Sequence, residues 1–115
     1  MSVTIYHNPR CSKSRQTLAM LQEKGIKPVI IEYLQSPPDK NTLEDILKKL
    51  GLKPRQLLRT KEEAYKANGL DDDSLTDEQI IDAILENPVL MERPVVLANN
   101  KAAIGRPPEN IEAIL

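Results

Sequence analysis

A chain of 115 residues, 40% hydrophobic, with 16 basic and 17 acidic side chains, has the size and composition of one compact domain. Its formal net charge of −1 gives no general attraction to nucleic acid or an anionic membrane, and no apolar run approaches the roughly 20 residues of a membrane span. The single cysteine excludes an internal disulfide and fits a reducing cytoplasm, while three tyrosines as the only aromatics leave no stacking platform for bases or sugars.

Val3 to Tyr6 reads as a short buried strand, and no secretory signal is expected because a basic flank and apolar core are missing. The next run is Tyr6-His7-Asn8-Pro9-Arg10-Cys11-Ser12-Lys13-Ser14-Arg15, and a helix-like stretch from Ser12 to about Lys24 follows, stopped by Gly25. A cysteine at such a strand-to-helix junction has its sulfur near the positive end of a helix. Arg10, Lys13 and Arg15 are close in sequence, so the surroundings favour thiolate over thiol. A lone cysteine is most often a small buried hydrophobe. Here the junction and the cations favour a prepared nucleophile. Cys11-Ser12-Lys13-Ser14 is a Cys-x-x-Ser version of a Cys-x-x-Cys redox motif, so a disulfide at Cys11 must involve another molecule. His7 either tunes Cys11 or orients the loop, or, as the residues alone favour slightly, caps the strand end and bonds the backbone. One cysteine and one histidine do not make a metal-ligand set.

Val29-Ile30-Ile31 is a second strand, and strand, helix, strand at this spacing predicts a parallel βαβ unit. Asp39 is the expected cap of a helix whose apolar stripe is Leu43, Ile46, Leu47 and Leu50, ended by Gly51. Lys53 to Asn68 reads as a short helical pair, started by Pro54 and closed by Gly69. After the acidic loop Asp71-Asp72-Asp73, Thr76 and Gln79 form a capping box for a helix lined by Ile80, Ile81, Ile84 and Leu85. Pro94 to Ala98 and Lys101 to Ile104 read as a hairpin turning at Asn99-Asn100. Pro107 and Pro108 open a last helix carrying Ile111, Ile114 and Leu115. The order β-α-β, a helical insertion at about 39–87, then β-β-α predicts an α/β chain with a thioredoxin-like fold. It implies one domain over 1–115, with a four-stranded mixed sheet and flanking helices.

Three arginines stand out. Arg93 and Arg106 each precede proline, so their backbones are held extended, and they flank the predicted hairpin. Arg59 lies in the helical insertion. Arginine's planar fork suits a tetrahedral oxyanion, and on the residues alone the alternative of three ordinary surface arginines stays open.

The run His7-Asn8-Pro9-x-Cys11-x-x-Ser14-Arg15 resembles the active-site loop of the glutaredoxin-coupled arsenate reductase family, within the thioredoxin-like superfamily. The similarity continues through Tyr33-Leu34 with Pro37-Pro38, Leu57-Leu58-Arg59, Thr76 to Leu85, Arg93-Pro94-Val95-Val96 and Arg106-Pro107. It implies that Cys11 attacks arsenate to give a thiol ester and that Arg59, Arg93 and Arg106 bind the oxyanion. His7, Asn8, Ser14 and Arg15 support the loop, and Pro94 takes a cis bond. It further implies a cytoplasmic monomer with no bound cofactor, no nucleic acid and no membrane. Glutathione would add at arsenic as co-substrate, and glutaredoxin would resolve the adduct, release arsenite and reset Cys11. Arg10-Cys11-Ser12-Lys13 is more cationic than the loop of plasmid-borne members, and the chain stops at Leu115 without their C-terminal extension, which is similar to the shorter chromosomal branch. Two rivals share the superfamily: an Spx-type transcriptional regulator that binds RNA polymerase, and a glutathione-dependent thiol oxidoreductase of other substrate. Ser14 in place of a second cysteine, with the arginine set, argues against the regulator.

Overall fold

The computed structural model describes residues 2–115. The chain divides into two compact units, one formed by the stretch through Ser36 with Arg93–Leu115, the other by Pro37–Glu92.

The first unit is built on a four-stranded sheet. Strands β1 (Val3–His7), β2 (Val29–Glu32), β3 (Val95–Ala98) and β4 (Lys101–Ile104) lie in the order β2-β1-β3-β4. β1 and β2 run parallel, and β3 is antiparallel to both β1 and β4. Helix α1 (Ser12–Glu23) makes the crossover between the parallel strands, because parallel neighbours cannot be joined by a tight turn. This mixed sheet with its helical crossover is the thioredoxin-like arrangement. β1 is central and buried along most of its length, whereas β2 is an edge on which Val29 and Ile30 stay exposed. At the β3–β4 turn Asn99 and Asn100 have φ of 53° and 62°. Asparagine tolerates this left-handed region better than most residues, and two such residues give the turn whose twist matches a hairpin.

The core of this unit joins Val3, Ile5, Val96 and Ala98 of the sheet to Leu21 of α1 and to Ile111 and Ile114. The last two sit on Pro108–Ile114, which is a 3-10 segment rather than the expected α-helix. Side chains three apart eclipse on a 3-10 turn, so Ile111 and Ile114 both reach the core, while Pro107 and Pro108 supply no backbone donors at its start.

The second unit is helical: α2 (Lys40–Leu50), α3 (Glu63–Ala67) and α4 (Asp77–Glu86), with 3-10 turns at Pro54–Leu57 and Pro88–Leu90. The pair expected over Lys53 to Asn68 is thus one 3-10 turn and one five-residue helix. Leu43, Ile46 and Leu47 of α2 and Ile80, Ile81 and Ile84 of α4 are buried, and the two helices pack together. Asp39 caps α2 by accepting from the Thr42 N–H at 2.8 Å, and Gly51 ends it at φ 68°. Leu58 and Met91 form an antiparallel bridge beside Arg59.

Candidate active site

β1 ends at His7 and α1 begins at Ser12, so Asn8, Pro9 and Arg10 must turn the chain within three residues. The turn is tied internally. The Cys11 N–H donates to the Asn8 carbonyl and the Arg10 N–H to Asn8 Oδ1, each at 3.0 Å, and Arg15 Nη1 donates to the Pro9 carbonyl at 2.9 Å. Cys11 takes the N-cap position of α1 with extended φ and ψ of −94° and 124°. It is 8% exposed, so little of the residue faces solvent.

Several effects compete at this thiol. Burial is the largest and opposes ionisation. The Ser14 N–H, the hydrogen bond and charge of Arg93, and the Lys13 N–H all favour the thiolate, and the balance lowers the pKa below the ordinary value. The charge that matters is therefore not the one expected from sequence. The side chains of Arg10, Lys13 and Arg15 are exposed, and Arg15 bonds to the Pro9 carbonyl. Arg93, 82 positions away in the chain, supplies the cation. What Lys13 and Ser14 contribute is their backbone at the helix start.

His7 orients the loop, one of its alternatives, and does not take the slightly favoured role of a strand-end cap. Rather than bonding backbone, its Nδ1 lies 2.6 Å from Ser14 Oγ, and that hydroxyl accepts the Asn8 N–H at 3.0 Å. Both side chains are buried, so the pair fastens the end of β1 to the first turn of α1. Burial holds the imidazole pKa down, with Glu32 acting to raise it and Arg15 to lower it.

Arg106 Nη1 lies 4.0 Å from Cys11 Sγ. The Arg93 guanidinium is near enough to favour the thiolate, and its Nε is buried without a hydrogen-bond partner. Arg93–Pro94 is a cis peptide, and so is Arg106–Pro107, which was not anticipated. The two Arg-Pro corners meet through Gly105, whose N–H donates to the Pro94 carbonyl at 2.9 Å. A Cβ on Gly105 would come within 2.5 Å of Thr17 Oγ1 and 2.9 Å of Pro94 Cγ, so only glycine lets this corner sit against α1 without a shift. Sequence reasoning missed Gly105 and Thr17. A glycine directly before Arg106-Pro107 was the available signal.

The first unit thus brings together Cys11, His7, Asn8, Ser14, Arg15, Arg93, Pro94 and Arg106. Arg59 belongs to the helical unit. Its N–H donates to the Leu90 carbonyl at 2.7 Å, and its Nε lies 3.3 Å from Glu62 Oε1. That ion pair is poorly aligned, because Nε and Nη1 are both buried without a hydrogen-bond partner. Among the described residues no group of three or more His, Cys, Asp or Glu side chains is placed to hold a metal ion, and no helix is long and apolar enough to cross a membrane. A thiolate beside two guanidinium groups can attack a tetrahedral oxyanion while its charge is neutralised.

The family model described as the ArsC family matches residues 6–114. A protein of Haemophilus influenzae named arsenate reductase is 53% identical, over 100% of both chains. The Escherichia coli K12 protein YfgD, named as uncharacterized, is 54% identical over 98% of this chain and 96% of its own length. The solved structure of an arsenate reductase from Vibrio cholerae superposes with a TM-score of 0.97 at 48% identity, covering 100% of this chain and 98% of that one.

Proposed function

Because this chain belongs to the ArsC family, we propose that it is an arsenate reductase whose nucleophile is Cys11. The observation that carries this reading is the approach of two guanidinium groups, Arg93 and Arg106, to the sulfur at the start of α1. Relatives named arsenate reductase match end to end and lend it the substrate.

The Cys11 thiolate attacks arsenic, an S–As bond forms, and one arsenate oxygen leaves as water. Arg93 and Arg106 hold the remaining oxygens bidentately and neutralise the charge that develops on them. The resemblance assigns Arg59 the same task. Reduction from As(V) to As(III) needs two electrons. They come from two sulfurs, Cys11 and glutathione, which end as a mixed disulfide when the S–As electron pair returns to arsenic. Glutaredoxin then reduces that disulfide. An outside donor is required because the chain has one cysteine.

The test is arsenate reduction with glutathione, with and without glutaredoxin, across a series of arsenate concentrations. Saturable turnover that depends on glutaredoxin is expected. Absence of turnover at any arsenate concentration, together with binding to RNA polymerase, would replace the reductase by the regulator.

A further inference from the structure

Resting on the reading that glutathione is the co-substrate, we infer that the cavity at the carboxyl ends of β1 and β2 receives the γ-glutamyl end of glutathione. The cavity has a volume of about 160 Å³, and His7, Asn8, Arg10, Glu32, Leu34 and Gln35 are among its walls. Drug-sized ligands occupy roughly 300–1,000 Å³, so this volume suits one amino-acid-sized group rather than a whole tripeptide. The outer ends of adjacent parallel strands are where open α/β sheets hold ligands.

Its chemistry separates it from the oxyanion site. One wall carries the Arg10 cation and another the Glu32 carboxylate. Neither side chain makes a hydrogen bond or ion pair within the described residues: Arg10 bonds through its backbone N–H, and Glu32 through its carbonyl, which accepts from Gln35 and Ser36. A carboxylate on the wall repels arsenate. Two opposite charges across a small cavity, neither held in a hydrogen bond or ion pair, instead fit a ligand bearing an ammonium and a carboxylate on one carbon, as the γ-glutamyl end does. The Gln35 amide can both donate and accept, and the half-exposed Leu34 offers apolar surface to the glutamyl methylenes.

The placement also suits the reaction. The cavity and the nucleophile share one loop, with Arg10 on the wall and Cys11 next in the chain. Consecutive Cα atoms are about 3.8 Å apart. In glutathione the cysteine directly follows the γ-glutamyl residue, so anchoring the first delivers the second toward Cys11.

The test uses the full chain and two probes, S-methylglutathione and S-methylcysteinylglycine, the second lacking the γ-glutamyl group. Binding is followed by NMR shifts of Glu32 and Gln35. S-methylglutathione should shift both resonances and S-methylcysteinylglycine should not. In turnover, Glu32→Gln should raise the KM for glutathione about tenfold, the order expected for losing one charge-assisted hydrogen bond. The KM for arsenate and the rate of Cys11 alkylation by neutral iodoacetamide should stay unchanged. Equal binding of the two probes, or an unchanged glutathione KM in Glu32→Gln, overturns the subsite while leaving the reductase reading intact. Selective S-methylglutathione binding without arsenate turnover by any donor sustains the subsite and removes that reading.

Discussion

Two helix starts in this molecule are built in opposite ways. At α4 the Thr76 hydroxyl accepts the Gln79 N–H at 3.2 Å, Gln79 Oε1 accepts the Thr76 N–H at 2.8 Å, and Asp77 and Glu78 bring negative charge into the first turn. Every element there stabilises the helix. At α1 the cap residue is Cys11, with no regular side-chain cap hydrogen bond and no acid in the first turn. Its first-turn N–H groups, those of Lys13 and Ser14, and its positive end are left to act on the sulfur. One start is arranged for stability, the other keeps its electrostatic field for chemistry.

The most severe way to break the comparison is Cys11→Ser. Arsenate turnover should fall on the order of 10⁴-fold or more, as for loss of a nucleophile, with an unchanged circular dichroism spectrum. Turnover close to that of the parent protein would place the chemistry elsewhere. Next come Arg93→Lys and Arg106→Lys, which keep the charge but lose the fork. Each should lower kcat/KM for arsenate about 10²-fold, the lower end of removing one oxyanion donor, and steady-state kinetics at varied arsenate decides it.

At the stable start, Thr76→Ala should cost about 1 kcal/mol in urea unfolding and leave the pH midpoint of Cys11 alkylation where it was. The smallest effect sharpens the contrast most. Ser12→Asp gives α1 the acid that α4 has, and this should steady the helix by about 0.3–1 kcal/mol while pushing the Cys11 pKa up. Alkylation rate against pH reports both proteins, and the parent midpoint should lie below the ~8.5 of a free thiol. The sign for stability follows from the same depression. Ionised Cys11 adds stability that is fully present above the unfolded thiol pKa, and that stability is lost as pH falls through the folded value.

Local features were legible in the residues themselves, whereas the approach of Arg93 and Arg106 to Cys11 and the cis bond at Pro94 were legible only through the family resemblance. The Thr76–Gln79 box, the Asp39 cap and the Asn99-Asn100 turn each depend on residues within a few positions, so reading along the chain found them. Cys11 itself was legible because a strand end and a helix start flank it. Its main cationic neighbour was misjudged, because Arg10, Lys13 and Arg15 are close in sequence while Arg93 is close in space. The hydrogen bond between His7 and Ser14 spans seven residues and joins a strand to a helix, where no single periodicity applies. The 3-10 form of Pro108–Ile114 was hidden for a subtler reason: apolar residues three apart serve either kind of helix.

The buried Nε of Arg93, left without a hydrogen-bond partner, has a consequence for how the protein reports on its surroundings. A desolvated cationic nitrogen raises the free energy of the anion-free fold, and an oxyanion that satisfies it lowers that free energy again. On the proposed reading, in which Arg93 binds the oxyanion, thermal stability would become a gauge of free oxyanion, rising as RT ln(1 + [L]/Kd), about 2.7 kcal/mol at a hundredfold excess over Kd. Anions that cannot be reduced, phosphate and sulfate among them, would register on the same scale. The order of their melting shifts would rank the fit of the guanidinium cradle apart from any redox step.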